Sequence, residues 1–242
     1  MFRIPFSCLL LGWLICAGCR TQSPRLEFDP QVERGVLESG MKYILRENAK
    51  PENRIMLRLV IDAGSVLEEG NQKGLAHFVE HMAFNGSTHF EKQELVDYLE
   101  SIGVAFGADL NAYTSFDETV YMLQIPVDDA AVLEKAFLVM QDWAQGLLFT
   151  AEEIDKERGV IVEEWRRGRG AERRISDQQY PVIFKDSRYA ERLPIGDMDI
   201  IRDAPYERLI TFYKDWYRPD LMTMIVVGDL PVEQMETLVR KY

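Results

Sequence analysis

After Cys19 the chain of 242 residues contains no cysteine, and its histidines number three in all. Cys8, Cys16 and Cys19 crowd the first nineteen residues, so the body of the chain can form neither a disulfide nor a thiolate metal site. Positive charge is also scarce. With 28 Lys and Arg against 40 Asp and Glu, the formal net charge is -12, which excludes nucleic acid as a partner because phosphates require a basic face. The one basic cluster, Arg166-Arg-Gly-Arg-Gly-Ala-Glu-Arg-Arg174, is short and lies among acids, so it reads as a solvated helix face or loop. There is no internal repeat and no low-complexity segment. A hydrophobic content of 47% is ordinary for a globular chain with a sizeable core.

The one apolar run without charges follows Arg3 and ends at Cys19, too short for a membrane span and fitting a secretory signal. Ala17-Gly18 before Cys19 resembles the bacterial lipobox, in which Cys19 is lipidated and becomes the mature N-terminus. Cys16 departs from it, standing where lipoboxes carry Leu. The expectation is a signal peptide over 1–19, a polar tether over 20–29 and a folded domain over 30–242. Arg20, in place of an Asp that would resemble an inner-membrane signal, points to the outer membrane. The expected location is therefore exported, in the periplasm or cell envelope, with a lipid as the sole membrane contact. A secreted or soluble periplasmic protein is the alternative.

The most informative stretch is Gly74-Leu-Ala-His77-Phe-Val-Glu80-His81-Met-Ala-Phe-Asn-Gly86. In a helix, His77 and His81 at i and i+4 share one face, and Glu80 projects nearby. Two neutral imidazoles so placed can take two corners of a Zn²⁺ site, beside a carboxylate able to accept a proton from water. This H-x-x-E-H order is a zinc-peptidase motif. The third histidine, His89, follows in a Gly-Ser-Thr-His turn and reads as ordinary.

Around this stretch, the apolar patterning predicts an α+β fold, a mainly antiparallel sheet with helices packed on it. Two short strands flank Ser39-Gly40, and Arg54–Asp62 reads as a central strand. A helix over about Lys92–Ile102 precedes a strand pair, Ala105–Ala112 and Thr119–Ile125. Asp128-Asp129 signals a helix through Ala130–Leu147. The charged segment Ala151–Arg173 keeps a helical stripe of Ile154, Val160, Ile161 and Trp165. Pro181, Pro194 and Pro205 then punctuate an irregular stretch. A helix over Tyr206–Trp216, a buried strand Leu221–Val227 and a helix from Pro231 close the chain.

A catalytic zinc takes three protein ligands and leaves one position open. With no further histidine suitably placed, a carboxylate must supply the third, and the segment Glu152-Glu-Ile-Asp-Lys-Glu157-Arg-Gly-Val-Ile-Val-Glu163-Glu164 offers several. Glu157 and Glu164, seven apart, share a helix face; Glu163 points about 100° away.

His77-Phe-Val-Glu80-His81, then Asn111-Ala-Tyr-Thr-Ser-Phe-Asp117-Glu-Thr-Val-Tyr121, then Glu157-Arg-Gly-Val-Ile-Val-Glu-Glu164 resemble, in that order, the pitrilysin/insulinase family of zinc metallopeptidases. The resemblance spans about Val32–Tyr242. It implies that His77, His81 and Glu164 ligate one Zn²⁺, that Glu80 is the general base, and that Glu157 orients the site. It further implies that Asn111 and Ala112 lie on an edge strand to which a peptide or unfolded polypeptide adds as a further strand. Members of the family are clamshells of paired homologous domains, so a second homologous domain or subunit is the expected partner. The chain then reads as one half of such a clamshell, truncated inside its last helix. A non-catalytic peptide-binding or partner-subunit module of the same fold is the alternative, although a pure binder has no need of Glu80.

Overall fold

The computed structural model describes residues 27–92, 94–105, 107 and 109–242. The expected signal segment, Cys19 and most of the tether lie outside the described residues. Gln31–Tyr242 fold as one unit, organised by a single six-stranded sheet in the order β1-β2-β6-β3-β5-β4. Its strands are β1 (Val32–Val36), β2 (Lys42–Glu47), β3 (Arg54–Ile61), β4 (Leu110–Thr114), β5 (Thr119–Pro126) and β6 (Met222–Gly228). Neighbours run antiparallel except β2 and β6. The fold is α+β, as the patterning predicts.

Alternation explains the layering. In β3, Ile55, Leu57, Leu59 and Ile61 are buried, while the residues between them are half-buried or exposed; one face of the sheet therefore meets the helices. Register then aligns the buried side chains of five strands. Leu45 pairs with Val226, Val226 with Leu57, Leu57 with Leu123, and Leu123 with Leu110. A one-residue slip in any strand would turn its members of this row to the wrong face.

Among the described residues the helical layer comprises α1 (Leu75–Met82), α2 (Glu94–Ser101), α3 (Ala130–Gln145), α4 (Ala151–Arg167), α5 (Ala171–Ile183), α6 (Met198–Asp203), α7 (Tyr206–Trp216) and α8 (Val232–Lys241). Asp129 caps α3 by accepting from the Ala131 N–H at 2.8 Å. Phe137, Met140 and Trp143 are buried on α3, which packs along β5. None of these helices is long and apolar enough to cross a membrane.

The structure differs from expectation in several places, one being the helix α6 inside the stretch between Pro194 and Pro205 that reads as irregular. The charged segment is two helices, because Gly168 and Gly170 interrupt it, and Val160 is half exposed instead of joining the buried stripe of Ile154 and Ile161. Pro181 lies inside α5 and does not start an irregular stretch; that helix has no buried residue, so no packing opposes the local loss of an N–H. The first strand of the 105–126 pair begins at Leu110, and Ala105 instead accepts turn hydrogen bonds from Asp109 and Leu110.

Candidate metal centre

The helix α1 is short and is anchored from both ends. At its start Gly74 takes φ +97, a conformation that favours glycine. A Cβ on neighbouring Gly196 would come within 2.2 Å of the Gly74 Cα, so the two backbones touch. The buried Glu68 carboxylate accepts from the N–H groups of Gly74 at 3.0 Å and Ala76 at 2.9 Å. This satisfies two donors that a helix start leaves open, and burial pushes the Glu68 carboxyl up to about 8 against those two hydrogen bonds. Arg192 and Arg188 both donate to the Glu68 carbonyl, tying Arg188–Asp197 to the entry of α1. Leu75, Phe78, Val79 and Met82 are buried, each contributing about 1.5–3 kcal/mol if fully withdrawn from water. The opposite face is left to the polar residues of the motif.

On that face His77 Nε2 lies 3.1 Å from His81 Nε2. Glu164 Oε2, arriving from α4, is 3.5 Å from the first and 3.3 Å from the second. Among the described residues this is the one group of three that could hold a metal ion. A tetrahedral zinc with N and O ligands about 2.0–2.1 Å away sets those atoms about 3.3 Å apart. The observed triangle has that edge, and two imidazoles with one carboxylate suit zinc chemically. Glu163, the neighbouring candidate, pairs instead with Arg166 at 2.8 Å.

The remaining acids are held separately. Glu157 Oε1 lies 2.7 Å from His81 Nδ1, and Asn85 Nδ2 donates to Glu157 Oε2 at 2.8 Å. Glu80 is buried and accepts from the Thr114 hydroxyl at 2.9 Å. Thr114 ends β4, so the strand holding Asn111 and Ala112 also touches Glu80. That strand is the edge of the sheet, and there the Ala112 N–H donates to the Asn111 side chain at 2.9 Å. All these groups line a cavity of about 750 Å³, whose wall also includes Phe84, Val160, Pro194 and Ile195. Sequence pattern singles out neither Thr114 nor Asn85 as a partner of the motif. His89 lies apart, paired with the buried Asp142 at 2.7 Å.

Burial raises the Glu80 carboxyl above its ordinary range, against the pull of the Thr114 hydroxyl. Burial lowers His77, assisted by charge on His81. For His81 burial also lowers the pKa, but hydrogen bonds to Glu157 and Glu164 outweigh it and lift it to about 9. Glu164 is lowered, chiefly by its hydrogen bond with His81.

A fold of this kind, with such a cluster, belongs to a recognisable class. Residues 43–177 match the family described as "Insulinase (Peptidase family M16)", and residues 203–242 match "Peptidase M16 inactive domain". The chain is a member of the insulinase family of peptidases, M16. Over 235 residues it is 42% identical to the "Probable zinc protease PqqL" of Haemophilus influenzae, covering 96% of this chain and 25% of that protein. The crystal structure of the first half of the periplasmic protease PqqL from Escherichia coli superposes with a TM-score of 0.86 at 38% identity, over 89% of this chain and 46% of that one. Pitrilysin shares the fold, with a TM-score of 0.75 at 21% identity over 89% of this chain and 23% of its own. The chain spans about a quarter of the length of the curated relatives it matches.

Proposed function

We propose that the chain is the catalytic domain of a zinc-dependent endopeptidase. The main support is the meeting of His77, His81 and Glu164 at 3.1–3.5 Å beside a buried, hydrogen-bonded Glu80. His77, His81 and Glu164 hold one Zn²⁺, which when bound supplies Lewis acidity toward a water and a scissile carbonyl. Glu80 accepts the proton of the attacking water and returns a proton to the leaving amine. Its burial raises the proton affinity of the carboxylate, and Thr114 fixes its orientation. Glu157 holds the His81 ring through Nδ1 so that Nε2 faces the cluster.

The substrate is a peptide or unfolded polypeptide lying along β4, where Asn111 and Ala112 are placed to bind its backbone. The side chain of Asn111 must release the Ala112 N–H for this to happen. The enclosing wall comes from a second homologous domain or subunit, in keeping with relatives about four times longer than this chain. Export is supported by the apolar N-terminal run and by the similarity to PqqL of Escherichia coli, which is described as a periplasmic protease. We place the lipid anchor at Cys19, so mass spectrometry of the mature protein should find an acylated N-terminal cysteine.

Elemental analysis tests the metal. The wild-type chain should carry one zinc, and His77→Ala with His81→Ala should lose it. Stoichiometric zinc in that folded double variant would sink the assignment.

A further inference from the structure

Both N–H groups of the Asn85 amide are committed. Its Nδ2 donates both to Glu157 Oε2 at 2.8 Å and to the His81 carbonyl at 3.0 Å. Glu157 uses its other oxygen, Oε1, on His81 Nδ1 at 2.7 Å. The path closes on itself, running from the His81 ring to Glu157, from Glu157 to the Asn85 amide, and from that amide back to the His81 backbone. Asn85 stands four residues after His81, just past the end of α1, and is buried. A flipped amide would aim its oxygen at a carboxylate and a carbonyl, two acceptors, so only the donor orientation satisfies the site. His77 has no such support. Its Nδ1 is buried without a hydrogen-bond partner.

From this closed path we infer that Asn85 is a positioning residue for the metal centre, acting through Glu157 to hold the His81 ring in its ligating orientation. The inference rests on the proposed zinc reading and extends it to a residue outside the H-x-x-E-H motif. Without the amide, Glu157 Oε2 is a buried lone-pair site with one donor fewer, and its carboxylate can rotate off Nδ1. Glu157 is the partner at Nδ1, while Nε2 faces His77 at 3.1 Å and Glu164 at 3.3 Å, with the ring edge-on to His77 at an interplanar angle of 84°. The loss should therefore appear in metal affinity and not in the fold.

Zinc affinity of the 242-residue chain, measured by competition with a chelating dye, tests this without recourse to peptidase activity. Asn85→Leu should weaken zinc binding by roughly tenfold to a hundredfold, the range for partners that orient a ligating histidine. Asn85→Asp keeps the size but sets a carboxylate against Glu157, and should weaken binding at least as much in a chain that still folds. In a Glu157→Gln background, Asn85→Leu should add little further loss, because the two act through one contact. Wild-type affinity in either single variant would overturn the inference, as would losses that simply add in the double variant. A wild-type chain that binds no zinc would overturn the metal reading itself, a result distinct from either of those.

Discussion

Glu163 and Glu164 are adjacent acids of equal chemistry, and helical geometry alone separates them. Counting 100° per residue from Glu157 selects Glu164, whose Oε2 lies by the two imidazoles, whereas Glu163 reaches Arg166. Substituting Glu164 by Gln should weaken zinc binding more than the roughly tenfold to hundredfold typical of an orienting partner. Glu163→Gln should leave it within error; the same dye competition would expose a reversed order. Replacing Glu80 by Gln asks a different question, since it removes the proton acceptor and spares the ligands. Zinc should stay bound while peptide hydrolysis in a form of the protein that is active falls by about 10²–10⁴. Appreciable turnover in that variant would make another group the base. At this scale the motif was legible because its periodicity is local. Thr114 and Asn85 were not, because a hydroxyl on a distant strand reaches Glu80 only through the tertiary fold, and Asn85 gains its meaning only once α4 brings Glu157 against it.

Whole elements were legible where a local signal marks them. The α3 start at Asp129, the α7 span and the apolar run of β6 all follow from such signals. The break between α4 and α5 was hidden because Arg and Glu on both sides favour helix equally, and only the glycines at 168 and 170 mark it. Glycines elsewhere separate two kinds of constraint. Gly159 lies in the middle of α4 with nothing within 4 Å of a built Cβ, so Gly159→Ala should stabilise the chain by about 0.5–1 kcal/mol through helix propensity. Gly196 has φ +74, and a Cβ there would strike the backbone at Gly74. Gly196→Ala should destabilise by roughly 1–3 kcal/mol, the usual scale of overpacking, and should move Ile195 within the wall of the metal cavity. Urea unfolding of the two variants reads both signs. Equal midpoints would mean that the contact between Gly74 and Gly196 carries no constraint.

At the scale of the whole molecule, strand order was the least legible feature. Each strand announces itself by its local apolar pattern, but the parallel pairing of β2 with β6 joins segments about 180 residues apart, and no local pattern records such a partner. The same topology leaves β4 at the sheet edge beside Glu80, and this has a kinetic consequence. The three proposed ligands and the proposed base all lie within this chain, so zinc should bind residues 1–242 alone. Hydrolysis asks in addition that an extended peptide be held with its scissile carbonyl at the centre, and such positioning can supply several kcal/mol of the barrier. On the proposed reading one edge strand would grip the peptide from one side only, and the cavity beside it is open to solvent. The isolated chain should accordingly bind zinc fully and cleave peptides poorly. Adding the second homologous domain, in cis or as a subunit, should raise kcat/KM far more than it changes zinc affinity. Full peptidase activity from the 242-residue chain, shown to be monomeric during the assay, would refute this division of labour. Activity that appears only with dimerisation would mean that a second copy of the chain supplies the missing wall.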